Sequence, residues 1–303
     1  MSRIRLKSTP VLAAIAVGAL VLSACSSTSS TTAAGSGATS SAASSAAAPL
    51  STAPLSSAPL SSAPLASAPM SSAGAKVTGT LKVDAAASLK KTFDKLATEF
   101  EAEHPGVKVS VSYDGSAVLA TQLIGGAPVD VFASADKKNM TKVTDKKLIT
   151  STPIEFATNT LQIAVAPGNP RKIASLKDLT ASGLNVDLCA VAQPCGAAAQ
   201  TALKAAGVTV KPISMEQSVT AVLTKVESGD ADAGLVYKTD VLGASGKVTG
   251  VDFAESSKAV NHYPIAALDA APNATAAKAF IALVTGAAGQ KILAAAGFGA
   301  PGA

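Results

Sequence analysis

The chain has no tryptophan, two histidines and three cysteines, and only 3% of its residues are aromatic. Zinc and haem sites need histidine or cysteine in ligand spacing, and His104 and His262 stand in no such pattern with the cysteines. Both histidines are read as surface residues. A nucleic-acid groove interleaves basic and aromatic side chains, and nothing of that kind is present. Catalytic signatures are also missing. There is no Gly-x-Ser-x-Gly, no P-loop and no histidine beside a nucleophile. Ala85-Ala86-Ala87 stands where a dinucleotide fingerprint would carry glycines. These absences argue against an enzyme and require no cofactor. The one long greasy run, Val11 to Leu22, is short for a membrane span.

What is present begins with that run. Arg3, Arg5 and Lys7 precede it, and Leu22-Ser23-Ala24-Cys25 follows it. A basic start, a short apolar core and small residues at the end are signal-peptide features. Leu-Ser-Ala-Cys resembles a bacterial lipobox, which makes Cys25 the lipidated first residue of the mature protein. The alternative is an ordinary cleaved signal with an incidental cysteine. Residues 26–75 carry no charge and consist almost wholly of Ser, Ala, Thr, Pro, Gly and Leu, with a loose APLSTAPLSSAPLSSAPLASAPM repeat. Such a segment buries too little to offset its ordering entropy and reads as a tether with an r.m.s. span of roughly 40 Å. The folded part is therefore expected outside the cell membrane, anchored to its outer face by lipid. Three of the 25 basic residues lie in the leader, which leaves 22 against 20 acidic ones and removes most of the excess behind a pI near 9.0. With Cys25 assigned to lipid, Cys189 and Cys195 form an even pair in an oxidising compartment, which suggests a disulfide. Two buried free thiols are the other possibility.

From Lys76 onward strands and helices alternate. Leu81 to Ala86 reads as a strand and Ser88 to Glu103 as a helix, with Leu89, Phe93, Leu96 and Phe100 at helical spacing and Ser88 at its N-cap. Strands are expected at Val107 to Tyr113 and Val129 to Ser134, with helices at Ala117 to Ile124 and Asp136 to Thr144. This βαβαβ start implies a parallel sheet. A second block starts near Leu161, with strands at Val186 to Val191, Gly234 to Tyr237 and Val248 to Phe253. Its helices are Gly196 to Ala206 and Glu216 to Ser228. The chain returns through Tyr263 to Leu268 and ends in helices Thr275 to Thr285 and Gly289 to Ala296. Repeated β/α units of this length fit two modest domains of an α/β protein.

The order of motifs AAASL, YDGSAVLATQLIGGAPVDVFASAD, VAQPCGAAAQTAL and SVTAVLTKVESGDADAGLVY resembles the substrate-binding proteins of molybdate ABC importers, over nearly all of Lys82 to Gly299. The resemblance implies a type II periplasmic-binding-protein fold, with two α/β lobes closing on an oxyanion in the cleft between them. Lobe one would be 76–159 and 262–303, and lobe two 160–261. It implies ligand contacts from Ser88, Ser116, the backbone N–H groups of Cys195 and Val219, and the Tyr237 hydroxyl. Some family members carry serine where this chain has Gly115. The implied ligands are molybdate and tungstate, and the implied partner is a membrane permease, with the receptor a monomer.

The chemistry of those residues agrees. Molybdate and tungstate are dianions without a proton at neutral pH, so their site should offer donors only. Hydroxyls, backbone N–H groups and helix starts do so without a buried cation. Phosphate often keeps a proton and benefits from an acceptor carboxylate, so Asp114 is expected to point outward. Each residue also has an ordinary reading. Ser88 and Ser116 suit plain N-caps, Tyr237 and Val219 suit the core, and Cys195 suits a disulfide alone. A binder of sulfate or phosphate, or a surface sensor or adhesin on the same scaffold, remains the alternative.

Overall fold

A computed structural model of the chain describes residues 77–302, so the signal segment, Cys25 and the tether lie outside the described residues. Two five-stranded sheets form the framework. The first holds β1 (Gly79–Ala86), β2 (Val107–Asp114), β3 (Val131–Ala133), β4 (Ile154–Asn159) and β10 (Asn261–Ala267), in the order β2-β1-β3-β10-β4. The second holds β5 (Leu161–Val165), β6 (Val186–Cys189), β7 (Ser214–Glu216), β8 (Ala233–Tyr237) and β9 (Thr249–Val251), in the order β7-β6-β8-β5-β9. The chain crosses between sheets twice, from β4 into β5 and from β9 into β10. Both sheets are mixed. β1 runs parallel to β2 and β3, whereas β10 is antiparallel to β3 and β4, and β5 is antiparallel to β8 and β9. The all-parallel expectation fails because the two crossing strands enter their sheets against the local direction.

The helices are α1 (Lys90–Glu103), α2 (Ser116–Ile124), α3 (Lys137–Asp145), α4 (Pro194–Ala206), α5 (Val219–Ser228), α6 (Lys238–Gly243), α7 (Ala274–Thr285) and α8 (Ala287–Ala295). Few as they are, the aromatics concentrate in the first lobe. There Phe93, Phe100 and Phe280 meet edge-on or tilted, and Tyr263 packs edge-on against Phe156 and Phe298. The second lobe is filled by aliphatic and small side chains, among them Leu161, Ile163, Leu179, Val222 and Ala202. Its α5 sits close on β8 because Gly234 has no side chain. A Cβ there would lie 2.6 Å from the Val222 Cγ1.

Several local expectations need correction. Ser88 is not an N-cap. A 3-10 turn (Ala87–Leu89) intervenes, and Leu89 occupies the cap position of α1 without a side-chain bond. Ser116 is likewise inside α2, with Gly115 as its cap. The helix expected from Glu216 starts at Val219, because Ser218 caps it by accepting the Ala221 N–H at 3.3 Å. β4, β7 and α6 carry no strong pattern. β7 is three residues at a sheet edge and α6 is six residues of mixed polarity. The histidines lie at the surface but are half-buried there. His104 lies 4.5 Å from the Phe100 ring, and His262 Nδ1 lies 2.9 Å from Glu155 Oε1.

Candidate functional site

Ser88, Ser116, Cys195, Val219 and Tyr237 border one small cavity between the two sheets. Its volume is about 10 Å³, far below the range of roughly 300–1,000 Å³ usual for organic ligands. Only a compact ligand fits. Among the described residues no lysine, arginine or histidine borders it.

Each donor is produced by local structure. β1 delivers the 3-10 turn that carries Ser88, whose Oγ lies 3.0 Å from the Tyr263 hydroxyl. Ser116 is the first residue of α2 and fully buried, and its Oγ accepts the Ala135 N–H at 2.9 Å. That bond uses a lone pair and leaves the serine proton to be donated. The neighbouring Gly115 N–H is taken by Asp114 Oδ1 at 2.7 Å, so the Ser116 hydroxyl, and not the Gly115 amide, is the free side of this turn. Asp114 is half-buried and borders the cavity, and its carboxylate accepts the Gly115 N–H of its own turn.

From the other sheet come two helix starts. Cys195 is the second residue of α4, after Pro194, and its sulfur is bonded to Cys189 with Cα atoms 5.7 Å apart. Val219 is the first residue of α5. First-turn N–H groups have no partner within their helix, and among the described residues no turn or loop bond takes these two. The positive ends of α2, α4 and α5 thus meet at one cavity, which suits an anion. Tyr237 ends β8. Its side chain is 1% exposed, yet its hydroxyl has no hydrogen-bond partner among the described residues. Burial, chiefly, with Tyr263, Asp136 and Asp240 nearby, pushes this hydroxyl well above the usual tyrosine range, so it is a neutral donor. A buried unsatisfied donor costs about 1–3 kcal/mol, and an acceptor in the cavity would remove that cost.

The sheets are drawn together around the cavity. Gln193, buried before α4, accepts the Ala117 N–H of α2 at 3.1 Å and donates to Gln217 Oε1 at 3.2 Å. Asn139 of α3 donates to Ala192 O at 3.4 Å, and Lys91 of α1 donates to Gly243 O. These closure residues escaped the sequence reading. Gln193 adjoins a helix start, but a lone glutamine in a turn has no signature.

A family model described as bacterial extracellular solute-binding protein matches residues 81–299. The molybdate-binding protein ModA of Mycobacterium tuberculosis is 47% identical over 222 residues, covering 73% of this chain and 85% of the relative. ModA of Escherichia coli is 35% identical over 212 residues, covering 67% of this chain and 82% of the relative. The solved periplasmic molybdate-binding protein of Azotobacter vinelandii shares the fold, with a TM-score of 0.66 at 24% identity over 73% of this chain and 99% of that one. The chain therefore belongs to the bacterial extracellular solute-binding proteins, in the group that contains the ModA proteins.

Proposed function

We propose that this protein captures molybdate, and tungstate with it, outside the cytoplasm and delivers it to the permease of an ABC importer. The observation that carries the reading is the make-up of the cavity. Three hydroxyls and two helix-start N–H groups border it, and among the described residues one hydroxyl is buried without a partner and no cationic side chain lines it. A dianion without protons can accept from every one of these groups. A ligand with a proton of its own would face donors with a donor.

Ser88, Ser116, Cys195, Val219 and Tyr237 are the contacts in this reading. Lobe one is 76–159 with 262–303, and lobe two is 160–261. Ser88 and Ser116 act from lobe one, and Cys195, Val219 and Tyr237 from lobe two, so only a closed cleft satisfies all oxygens. Two chain crossings act as the hinge. Each hydrogen bond to the charged ligand contributes about 1.5–3 kcal/mol. Residues 1–25 serve as signal, Cys25 carries the lipid and 26–75 form the tether, which holds a monomeric receptor at high local concentration beside its permease.

Asp114 at the cavity edge favours a second reading, capture of phosphate, whose proton a carboxylate could accept. A thermal-shift panel of molybdate, tungstate, sulfate and phosphate separates the two. Stabilisation by molybdate and tungstate is expected. Stabilisation by phosphate or sulfate without molybdate would overturn the main reading.

A further inference from the structure

Behind Ser88 lies a chain of polar side chains that does not touch the cavity. Asn159 closes β4 at the first crossing, Tyr263 lies on β10, and Thr239 is the second residue of α6 on the second sheet's side. Asn159 and Tyr263 are buried, at 4% and 0% exposure, so their donors and acceptors must be satisfied within the protein.

The direction of each bond in this chain can be worked out. Asn159 Oδ1 accepts the Thr160 N–H at 3.0 Å, which fixes the orientation of the amide. The Nδ2 therefore faces the other way. It donates one proton to Thr239 Oγ1 at 2.8 Å and the other to the Tyr263 hydroxyl oxygen at 3.4 Å. Tyr263 then holds a buried proton; the Tyr237 hydroxyl is also close, but it makes no bond of hydrogen-bond geometry, and Ser88 Oγ, 3.0 Å away, does. Were Ser88 to donate to Tyr263 instead, the tyrosine proton would be orphaned in the interior, at the cost of an unmade bond. Ser88 Oγ therefore accepts from Tyr263, and its own proton is left to face the cavity.

We propose that Tyr263, oriented by Asn159, is a positioning residue that holds Ser88 as an obligate donor to the bound oxyanion. The proposal rests on the oxyanion reading above. It adds a reason why this corner of the site discriminates against protonated ligands, since a Ser88 locked as donor cannot turn to accept a ligand proton. It also ties the site to the hinge. The Asn159 amide that sets the polarity also bridges to Thr239 across the crossing.

A double-mutant cycle tests it, with Ser88→Ala, Tyr263→Phe and the pair together, titrated calorimetrically with molybdate. Tyr263→Phe keeps the ring and its edge-on contacts with Phe156, Tyr237 and Phe298. It is expected to weaken binding about tenfold when Ser88 is present, by loosening one charge-assisted bond, and to change affinity less than about twofold once Ser88→Ala has been made. Asn159→Ala is a second probe, expected to weaken binding more with Ser88 present than in the Ser88→Ala background, where only the lost Thr239 bond is felt. Any general packing defect enters both arms and cancels. Equal losses in the two backgrounds, or no loss in either, would overturn the proposal while leaving molybdate capture intact. A wild-type protein that binds no member of the oxyanion panel removes the functional reading and this proposal together.

Discussion

Adding one carbon at Gly115 should stop the cleft from closing without disturbing either lobe. The backbone there is ordinary, with φ −62° and ψ 138°, so alanine fits without strain as far as lobe one is concerned. The obstacle comes from the other lobe. A Cβ at Gly115 would overlap the Gln217 backbone oxygen and the Gln193 side-chain amide. Overpacking of this kind costs about 1–3 kcal/mol. Backing the lobes apart to relieve it loses the Ala117–Gln193 bond, about 1 kcal/mol more. On the proposed hinge the clash arises only in the closed form, so about 2–4 kcal/mol would fall on the closing step and not on folding. At about 1.4 kcal/mol per tenfold, Gly115→Ala should weaken molybdate binding by roughly 30- to 1000-fold. Calorimetry gives the affinity. Small-angle scattering with and without molybdate shows whether the compaction on binding is lost, and chemical denaturation of the unliganded protein should be unchanged. Affinity within about threefold of wild type, with normal compaction, would refute the reasoning.

Three further outcomes are expected. Tyr237→Phe removes a buried donor without a partner, so unliganded stability should rise by about 1–3 kcal/mol while molybdate affinity falls at least tenfold, and unchanged affinity would take Tyr237 out of the site. Replacing Cys189 and Cys195 together by serine opens a loop of sequence separation 6 and should lower stability in urea by about 2 kcal/mol on the chain-entropy model; an unshifted midpoint would contradict it. Burial pushes the Asp240 carboxyl up to about 7, against the downward pull of the Tyr237 N–H bond and Lys91. A raised carboxylate value means the folded state binds more protons, so this group costs stability progressively as pH rises from about 4 through 7. Asp240→Asn should flatten that decline in denaturation curves measured across the range, and parallel profiles for wild type and variant would count against the assignment.

Much of the framework was legible in advance. Leu81 to Ala86 and Val107 to Tyr113 form as strands, and α1, α4, α7 and α8 form within a few residues of expectation, because each carries a long apolar periodicity or ends at glycine. The misses share a cause. β4 is bounded by proline on one side and runs almost directly into β5 on the other, so no turn signal marks it. Ser88 looked like a cap because a serine before a helix usually is one, but a 3-10 turn displaces it, and its hydroxyl is drawn to Tyr263, distant by 175 residues. No local pattern encodes a partner that far along the chain.

The sequence alone determined which groups are available: hydroxyls, helix starts and one tyrosine in a fixed order, few histidines and no catalytic signature. Those are properties of residue type and near neighbours. The tertiary structure decided what the groups are free to do. It spends the Gly115 amide on Asp114, turns Ser116 by way of Ala135, leaves Tyr237 without a partner and points the Ser88 proton by way of Tyr263 and Asn159. A hydrogen bond has direction, and its direction depends on where every other donor in a buried network goes. Only folding gathers β1, β10 and β4 into one sheet, with β3 between β1 and β10, and settles that bookkeeping.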